Sequence, residues 1–444
     1  MIIKRRERNA VLQSLQAGLV PRQGLHLIQV GRKAEVSAML ADLERIADDG
    51  ASFRLVIGRF GSGKSFFLSL VRNVALQKGL AVAAADFSMD RRLYATEGQA
   101  RSLYSELMRN LATKAQPEGG DVSAVLASWI SGIQHDVMQD GGDANAVEAR
   151  LADDLRSLQS LVGGFEFAEV VRTFYRAYVQ NDERLQAAAL KWLRGEYTTK
   201  TEARADLGVR RIIDDGNVYE SLKLMAAFVK KAGFGGLLVT LDELVVISHR
   251  LPSTRARQSN YEALLTILND SFQGSCSGLG IILAGTDECL EDKRRGLQSY
   301  EALKTRLVEN SLAQEHGLVD LSGPVIRLQP LTPEDLFVLL KNIALVHAGG
   351  DPSKLAVPDE GIVAVLKRAN ETLGAQYFRT PRDIVRSFIG LLNILDQNPS
   401  RTWTELLKLQ TFEQPKAPAS TEEELAIGGV PARDEDEDLA SLRL

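Results

Sequence analysis

The chain is poor in cysteine and has no long apolar run. Its 444 residues include two cysteines, Cys276 and Cys289, too few for a disulfide framework or a tetrahedral zinc site. They predict reduced thiols, as expected in the cytoplasm. No segment reaches the roughly 18 apolar residues that a transmembrane helix needs. The start, Met1-Ile2-Ile3-Lys4-Arg5-Arg6, lacks the apolar stretch of a secretory signal. We therefore expect a cytoplasmic protein that does not contact a membrane.

A strong charge of either sign is also missing from most of the chain. The net charge is −5, yet residues 411–444 alone hold nine acidic and three basic residues, which is −6. The remaining body has 50 basic and 49 acidic residues, a balance that neither requires nor excludes nucleic acid as a partner. Because residues 411–444 are rich in proline and acidic residues, they are predicted to form a disordered acidic tail.

Apolar runs of strand length alternate with helical patterns along residues 29–325. Strands are predicted at 53–57, 80–87, 236–241 and 279–284, and helices at 64–78, 222–231 and 261–272. This alternation predicts an α/β fold with a mostly parallel sheet covered by helices on both faces. Residues 24–30, which are apolar and contain a glycine, are predicted to be extended.

Helical periodicity without strands marks two further regions. Residues 97–215 are predicted to form a helical insertion in the core 29–325. Residues 326–410 are predicted to form a helical lobe, with helices at 333–348, 359–370 and 381–395. Residues 1–28 are predicted to form an N-terminal arm that is basic at Lys4, Arg5, Arg6 and Arg8. The expected order is arm, core with insertion, helical lobe and tail.

A glycine-rich segment lies between the first core strand and a helix. Its sequence, Gly58-Arg59-Phe60-Gly61-Ser62-Gly63-Lys64-Ser65, fits the phosphate-loop pattern Gly-x4-Gly-Lys-Ser/Thr. Glycines let the backbone curl until N–H groups point at phosphate oxygens, and the positive end of the helix adds to this anion site. Lys64 is predicted to contact the β- and γ-phosphates, and the Ser65 hydroxyl to ligate Mg²⁺. ATP and Mg²⁺ are the expected ligands, with the nucleotide contacted by residues 58–65 and by Phe66.

A second apolar strand ends in two adjacent carboxylates. The segment Leu237-Leu238-Val239-Thr240-Leu241-Asp242-Glu243 delivers them to the carboxyl edge of the sheet, where open α/β sheets bind ligands. Adjacent strand residues point to opposite sides, so the two can have different roles. We expect Asp242 to hold Mg²⁺ through water and Glu243 to orient and polarise the attacking water.

Three more polar residues are candidates for the same site. Thr286 follows the strand 279–284 and is expected to lie between the two motifs, where it can sense the γ-phosphate. Arg306 and Arg382 are candidates to stabilise the charge of phosphoryl transfer. A surface salt bridge is the simpler interpretation of an isolated arginine. Their order behind the three strands favours the catalytic role.

This order of motifs resembles that of AAA+ ATPases, in the branch of the origin-recognition initiators. Val30-Gly31-Arg32 resembles the adenine-contacting box of that branch, and residues 58–65 and 237–243 match Walker A and Walker B. The resemblance implies that Gly31 and Arg32 contact the nucleotide. It also implies that Thr286 is sensor 1, Arg306 the arginine finger and Arg382 sensor 2, and that residues 328–335 begin a lid. The implied fold is an AAA+ type parallel sheet sandwiched by helices.

A closer resemblance is to the BREX-system ATP-binding proteins of bacterial phage defence. It is carried by residues 18–21, 59–67, 285–288, 294–296 and 299–307. Asp287 stands where many relatives are expected to have proline. The resemblance implies a cytoplasmic ATPase that acts beside a DNA helicase or another defence-system protein.

Three basic clusters are candidates for contact with double-stranded DNA. They are residues 4–8, the arginines 250, 255 and 257, and residues 293–295. Taken singly, each is more simply a solvated loop, and their joint interpretation as phosphate contacts is a hypothesis. No interleaved aromatic residues predict a stacking platform for single strands.

Two functions remain open on this sequence. The first is ATP hydrolysis across the subunit interface of a homo-oligomer, with Arg306 acting in trans. The second is a nucleotide-gated adaptor with negligible turnover, in which ATP closes the lobe on the core through Arg382 and creates a docking surface for a partner. A small-molecule kinase is disfavoured, because the Asp242–Glu243 pair suits activated water better than an acceptor hydroxyl.

Overall fold

A five-stranded sheet forms the centre of the computed structural model, which describes residues 3–373 and 381–409. The predicted tail, residues 411–444, lies outside these ranges. The strands are β1 Ala51–Ile57, β2 Ala81–Asp86, β3 Leu237–Asp242, β4 Leu279–Gly285 and β5 Val325–Arg327.

The strand order is β2-β3-β4-β1-β5, and every pairing is parallel. The predicted α/β fold with a parallel sheet is therefore confirmed. All residues of β1 and β4 are buried, because helices cover both faces, and this explains why these strands are continuous apolar runs. Since β4 lies between β1 and β3, the segment after β4 emerges between the phosphate loop and the paired carboxylates.

Three helices precede the sheet: α1 Arg5–Gln16, α2 Leu25–Ile28 and α3 Lys33–Ala47. The prediction that residues 24–30 are extended is wrong. Leu25 and Ile28 are both buried, and a helical turn places residues three apart on one side, whereas a strand would place them on opposite sides. Gly24, with φ of 76°, turns the chain into this short helix.

The next helix, α4 Lys64–Gln77, follows the phosphate loop and leads to β2. Six helices then separate β2 from α11: α5 Gln99–Arg109, α6 Asp121–Gln139, α7 Ala144–Arg156, α8 Gly164–Gln180, α9 Glu183–Leu193 and α10 Lys200–Leu207. Asp143, Asp182 and Thr199 each cap one of them by accepting a hydrogen bond from a first-turn N–H. The chain returns to β3 through α11 Val218–Lys231.

The helices between β2 and α11 share one apolar core with the sheet. Phe228 of α11 makes edge contacts with Trp129 of α6 and Phe167 of α8, at ring-centroid distances of 5.3 and 5.4 Å. Phe167 in turn contacts Trp192 of α9 at 6.4 Å. A continuous line of aromatic rings therefore joins this region to the helix that precedes β3.

One α-helix, α12 Thr254–Gln273, lies between β3 and β4. Between β4 and β5 follow α13 Asp287–Glu291, α14 Glu301–Arg306 and α15 Ser311–Glu315. The last four are α16 Pro333–His347, α17 Asp359–Leu373, α18 Pro381–Gln397 and α19 Trp403–Leu409. Thr332 and Asp335 form a capping box that starts α16. None of the helices in the described ranges is long and apolar enough to cross a membrane.

The N-terminal segment packs against these last helices. Val11 and Leu12 of α1 and Ile28 of α2 belong to a second apolar cluster with Leu340 of α16 and Phe388 of α18. The two ends of the described chain therefore build one helical body.

Candidate functional site

The phosphate loop, residues 58–65, curls between β1 and α4. Gly61 and Gly63 have φ of 76° and 90°, in the left-handed region that glycine adopts without strain. The N–H of Phe67 donates to Gly63 O at 2.8 Å and closes the first turn of α4. The preceding amides, of Lys64, Ser65 and Phe66, have no acceptor within the helix. They are therefore free for an anion, which the positive end of α4 also favours.

Lys64 turns its ammonium group back over this loop. Nζ donates to the carbonyl oxygens of Gly58 at 2.8 Å and Arg59 at 3.0 Å. Burial lowers the pKa of Lys64, and the carboxylates of Asp242 and Glu243 act in the opposite direction. The predicted phosphate-contacting cation thus lies at the loop and near the paired carboxylates.

The two halves of the predicted site are in direct contact. Ser65 Oγ donates a hydrogen bond to Asp242 Oδ2 at 2.7 Å, although the residues are far apart in sequence. The backbone N–H of Glu243 donates to Asp242 Oδ1 at 2.8 Å. A hydroxyl and a carboxylate oxygen, side by side, are the hard oxygen donors that Mg²⁺ prefers. These residues therefore fit the expected metal.

Glu243 has an unusual backbone. Its φ of 61° lies in the left-handed region, which costs a residue with a Cβ about 1–3 kcal/mol and occurs often at functional sites. Its side chain is exposed. Partial desolvation and the neighbouring Asp242 carboxylate raise the pKa of Glu243.

A third carboxylate at this edge of the sheet was not predicted. Asp86, the last residue of β2, is in register with Asp242 of β3. Desolvation and the Asp242 carboxylate raise the pKa of Asp86. The sequence signal was available, since Asp86 lies one residue before the end of the predicted strand 80–87 and Asp242 directly follows the predicted strand 236–241.

Residues from both ends of the chain surround the loop. The Arg32 guanidinium donates to Ser62 O at 3.2 Å. Gly31, with φ of 60°, lies so close to α16 that an added Cβ would be 3.2 Å from an Asp335 oxygen. The Arg382 guanidinium of α18 lies 5.4 Å from the ring centroid of Phe60, within cation–π range. Phe66 packs against the apolar cluster of the last helices.

Thr286 and Arg306, the other two predicted site residues, lie in different parts of the structure. Thr286 follows β4, as predicted, and its Oγ1 is 3.2 Å from Cys289 Sγ. Arg306, at the end of α14, is exposed. Its guanidinium donates to Asn269 Oδ1 at 2.6 Å and to Ala302 O at 2.9 Å, and not to the phosphate loop. Within one chain the structure thus brings together the loop, Asp242, Glu243, Arg32 and Arg382. It places Thr286 beside Gly285, whose carbonyl accepts from the Gly58 N–H at 3.2 Å, while Arg306 faces elsewhere.

Arg327 at the end of β5 joins the segments that carry Thr286 and Arg306. It forms ion pairs with Asp287 at 3.0 Å, Glu291 at 2.5 Å and Glu309 at 2.7 Å. The carboxylates raise the pKa of Arg327, and the largest cause is the set of hydrogen bonds that Arg327 donates to Glu309. Asp287 is thereby explained as an ion-pair partner that proline at this position would not provide.

Gly58→Ala is expected to weaken ATP binding about tenfold, the result of roughly 1.4 kcal/mol of lost affinity. An added Cβ would lie 2.6 Å from Ser62 Oγ and 3.4 Å from Leu328 Cβ, so the Ser62 side chain or the loop around it must shift. Titration calorimetry with ATP measures the effect. Gly390→Ala in α18 is the control, because an added Cβ meets no atom within 4 Å there. Equal affinities for Gly58→Ala and the unchanged protein would contradict this account of the loop.

Comparison with known proteins agrees with this geometry. A family model described as BREX system ATP-binding protein BrxC/D matches residues 3–411. The match covers the loop, the paired carboxylates and the last helices together. A search of curated proteins finds no match to the chain.

Proposed function

The chain belongs to the family of BREX system ATP-binding proteins BrxC/D, and from this premise we propose that it binds Mg²⁺-ATP at residues 58–65 and hydrolyses it. Membership gives an ATP-binding role in phage defence. The observation that carries the finer proposal is the 2.7 Å hydrogen bond from Ser65 to Asp242. It places a hydroxyl, a carboxylate and, next to it, Glu243 beside the cationic loop.

Each residue has a chemical role in this proposal. Lys64 and the first-turn amides of α4 neutralise the β- and γ-phosphates. Ser65 and Asp242 would hold Mg²⁺, which when bound would reduce the charge of the phosphate oxygens. Glu243 accepts a proton from water as the water oxygen bonds to the γ-phosphorus. The bond to the β–γ bridging oxygen breaks, and ADP and phosphate leave.

We further propose that Arg306 acts on the site of a neighbouring copy in a homo-oligomer. Its side chain is exposed and is held by Asn269 and Ala302, so it is presented outward rather than toward its own loop. The segment after it exposes Val308, Leu312, Leu318 and Val319, an apolar surface suited to contact with another subunit.

Mixing two inactive variants tests the arrangement in trans. Arg306→Ala and Glu243→Gln subunits are each expected to hydrolyse ATP poorly alone. When they are mixed, an Arg306→Ala site can receive the arginine of a Glu243→Gln neighbour, so phosphate release should recover to about a quarter of the normal rate if subunits pair at random and each site needs one arginine. The control is Arg306→Ala mixed with a second preparation of the same variant, in which no subunit can supply the arginine. No recovery, in a mixture shown by size measurement to form oligomers with an ATP analogue, would contradict action in trans.

A second function, the nucleotide-gated adaptor, is favoured by one observation. Arg382 of α18 lies over Phe60 of the phosphate loop, so the last helices already contact the loop that holds the γ-phosphate. In this alternative, ATP binding closes these helices as a lid and creates a surface for a helicase or another defence-system protein. Phosphate release with purified protein, with and without duplex DNA, separates the two, because the adaptor shows negligible turnover in both.

A further inference from the structure

Two basic segments, which follow β3 and β4 and lie about 40 residues apart in sequence, pack together into one surface. The Arg295 guanidinium donates to His249 O at 3.4 Å, and the Tyr261 hydroxyl donates to Arg295 O. The segment 249–261 and the segment 292–295 are therefore packed together. Their cations are Arg250, Arg255, Arg257, Lys293, Arg294 and Arg295, which we call the basic surface.

Arg257 is the unusual member of this surface. It is only 8% exposed, yet its guanidinium has a single hydrogen bond, to Thr254 Oγ1 at 3.2 Å. No carboxylate in the described part of the chain lies within ion-pair distance of it. Burial lowers the pKa of Arg257, and Arg295 and Arg294 lower it further, while Tyr261 and Asp292 act in the opposite direction. A buried charge is normally paired, and none of the described residues forms an ion pair with Arg257.

The carboxylate of Asp292 attracts the charge of Arg257 but forms no ion pair with it. Asp292 Oδ1 accepts hydrogen bonds from the backbone N–H groups of Arg294 at 2.8 Å and Arg295 at 2.6 Å. Its Oδ2 lies 4.0 Å from His249 Nε2. Asp292 therefore shapes the turn that presents Arg294 and Arg295, while Lys293 and Arg294 remain exposed.

We propose that the basic surface binds the phosphodiester backbone of duplex DNA, with Arg257 and Arg295 at its centre. Phosphate oxygens supply the anion that Arg257 lacks, and the exposed cations Arg255, Lys293 and Arg294 contact neighbouring phosphates. Tyr261, the aromatic residue between the two segments, is buried at 1% exposure. It offers no ring on which a single-stranded base can stack.

The position of the surface connects DNA to the chemistry of the nucleotide. A π-helical turn, Val246–Arg250, begins three residues after Glu243, and the N–H of Val246 donates to Glu243 O at 3.0 Å. The segment 292–295 follows α13, which begins after Thr286. DNA on the basic surface thus contacts segments that follow Glu243 and Thr286 closely in the chain, and it adjusts the hydrolysis rate through them. This coupling rests on the proposed ATPase function, whereas DNA binding does not.

Fluorescence anisotropy with a labelled duplex oligonucleotide tests the proposal. The Lys293→Ala/Arg294→Ala variant is expected to reduce the slope of log affinity against log salt by about two, and to bind roughly tenfold more weakly at moderate salt. Arg210→Ala/Arg211→Ala is the matched control, because it also removes two adjacent exposed cations. It should bind as the unchanged protein does.

Arg257→Gln adds a readout that separates binding from folding. It is expected to lose DNA affinity while keeping or raising the melting temperature without DNA, because it removes an unpaired buried charge beside Arg295. A lower melting temperature with unchanged DNA affinity would show that Arg257 is structural and would overturn its assigned role.

Other outcomes also decide the matter. No duplex binding by the unchanged protein, or equal losses in the two double variants, would overturn the proposal. Equal affinity for an acidic peptide would overturn the assignment to nucleic acid, and preference for a single strand of the same length would overturn the duplex. Phosphate release without DNA should be the same in Lys293→Ala/Arg294→Ala and in the unchanged protein. If the proposed ATPase function is wrong, the phosphate-release assay alone will show it, and the DNA-binding measurements will be unaffected.

Discussion

Lys64→Ala is expected to lower ATP affinity by about 100-fold, and hydrolysis is expected to disappear with it. The ammonium group lies at the loop, 2.8 Å from Gly58 O and 3.0 Å from Arg59 O. In this position it can contact a triphosphate bound by the loop directly. Charge-assisted hydrogen bonds of this kind contribute roughly 1.5–3 kcal/mol each. Titration calorimetry with a slowly hydrolysed ATP analogue and Mg²⁺ measures the loss.

Lys78→Ala is the matched control for this experiment. Lys78 immediately follows the same helix, α4, and pairs with Glu44 at 2.8 Å, away from the phosphate loop. The control variant should bind ATP as tightly as the unchanged protein. Retention of full affinity in Lys64→Ala would show that the loop does not grip the triphosphate, and the proposed function would fail.

Glu243→Gln is expected to keep ATP affinity within about twofold and to slow hydrolysis by about 10²–10⁴-fold, the usual size of a general-base contribution. The amide keeps the size of the side chain but cannot accept the proton of water. Single-turnover phosphate release measures the chemical step. Glu262→Gln, an exposed change on α12, is the isosteric control. Hydrolysis at the normal rate in Glu243→Gln would assign proton transfer to another group, and Asp86 would be the next to test.

The same variant also has an expected pH signature. Because the pKa of Glu243 is raised by partial desolvation and by Asp242, the folded state holds this proton more tightly than the unfolded state does. Its contribution to stability is complete below the ordinary pKa of glutamate and is lost as pH rises through the raised value. Glu243→Gln should therefore melt at a higher temperature than the unchanged protein at neutral pH. The difference should shrink as pH falls below that range.

The sheet was largely predictable because buried parallel strands carry a local signal. β1, β3 and β4 are apolar runs, and their prediction is confirmed. β5, Val325–Arg327, is too short to give a pattern and was missed. Arg54 shows a second limit: it lies buried inside β1 and pairs with Asp42 at 2.5 Å. The residues around Arg54 and Asp42 in the sequence give no pattern that predicts this ion pair.

The site was predictable where geometry follows from topology. Asp242 meets Ser65 because the carboxyl ends of parallel strands share one edge with the phosphate loop. The network around Arg327 was not predictable, because its partners come from two other segments: Asp287 and Glu291 from α13, and Glu309 from the stretch after α14. Likewise, the packing of segment 249–261 against segment 292–295 depends on tertiary contacts that no local sequence pattern predicts.

The line of aromatic rings from Trp192 through Phe167 to Phe228 has a consequence for the middle of the chain. A region built on a shared core cannot be excised as a module, because removal of α6, α8 and α9 would leave Phe228 and its neighbours facing water. It also cannot loosen without loosening the support of β3, whose last residue is Asp242. A partner bound to these helices would therefore act on the strand that ends at Asp242, the carboxylate proposed to hold Mg²⁺.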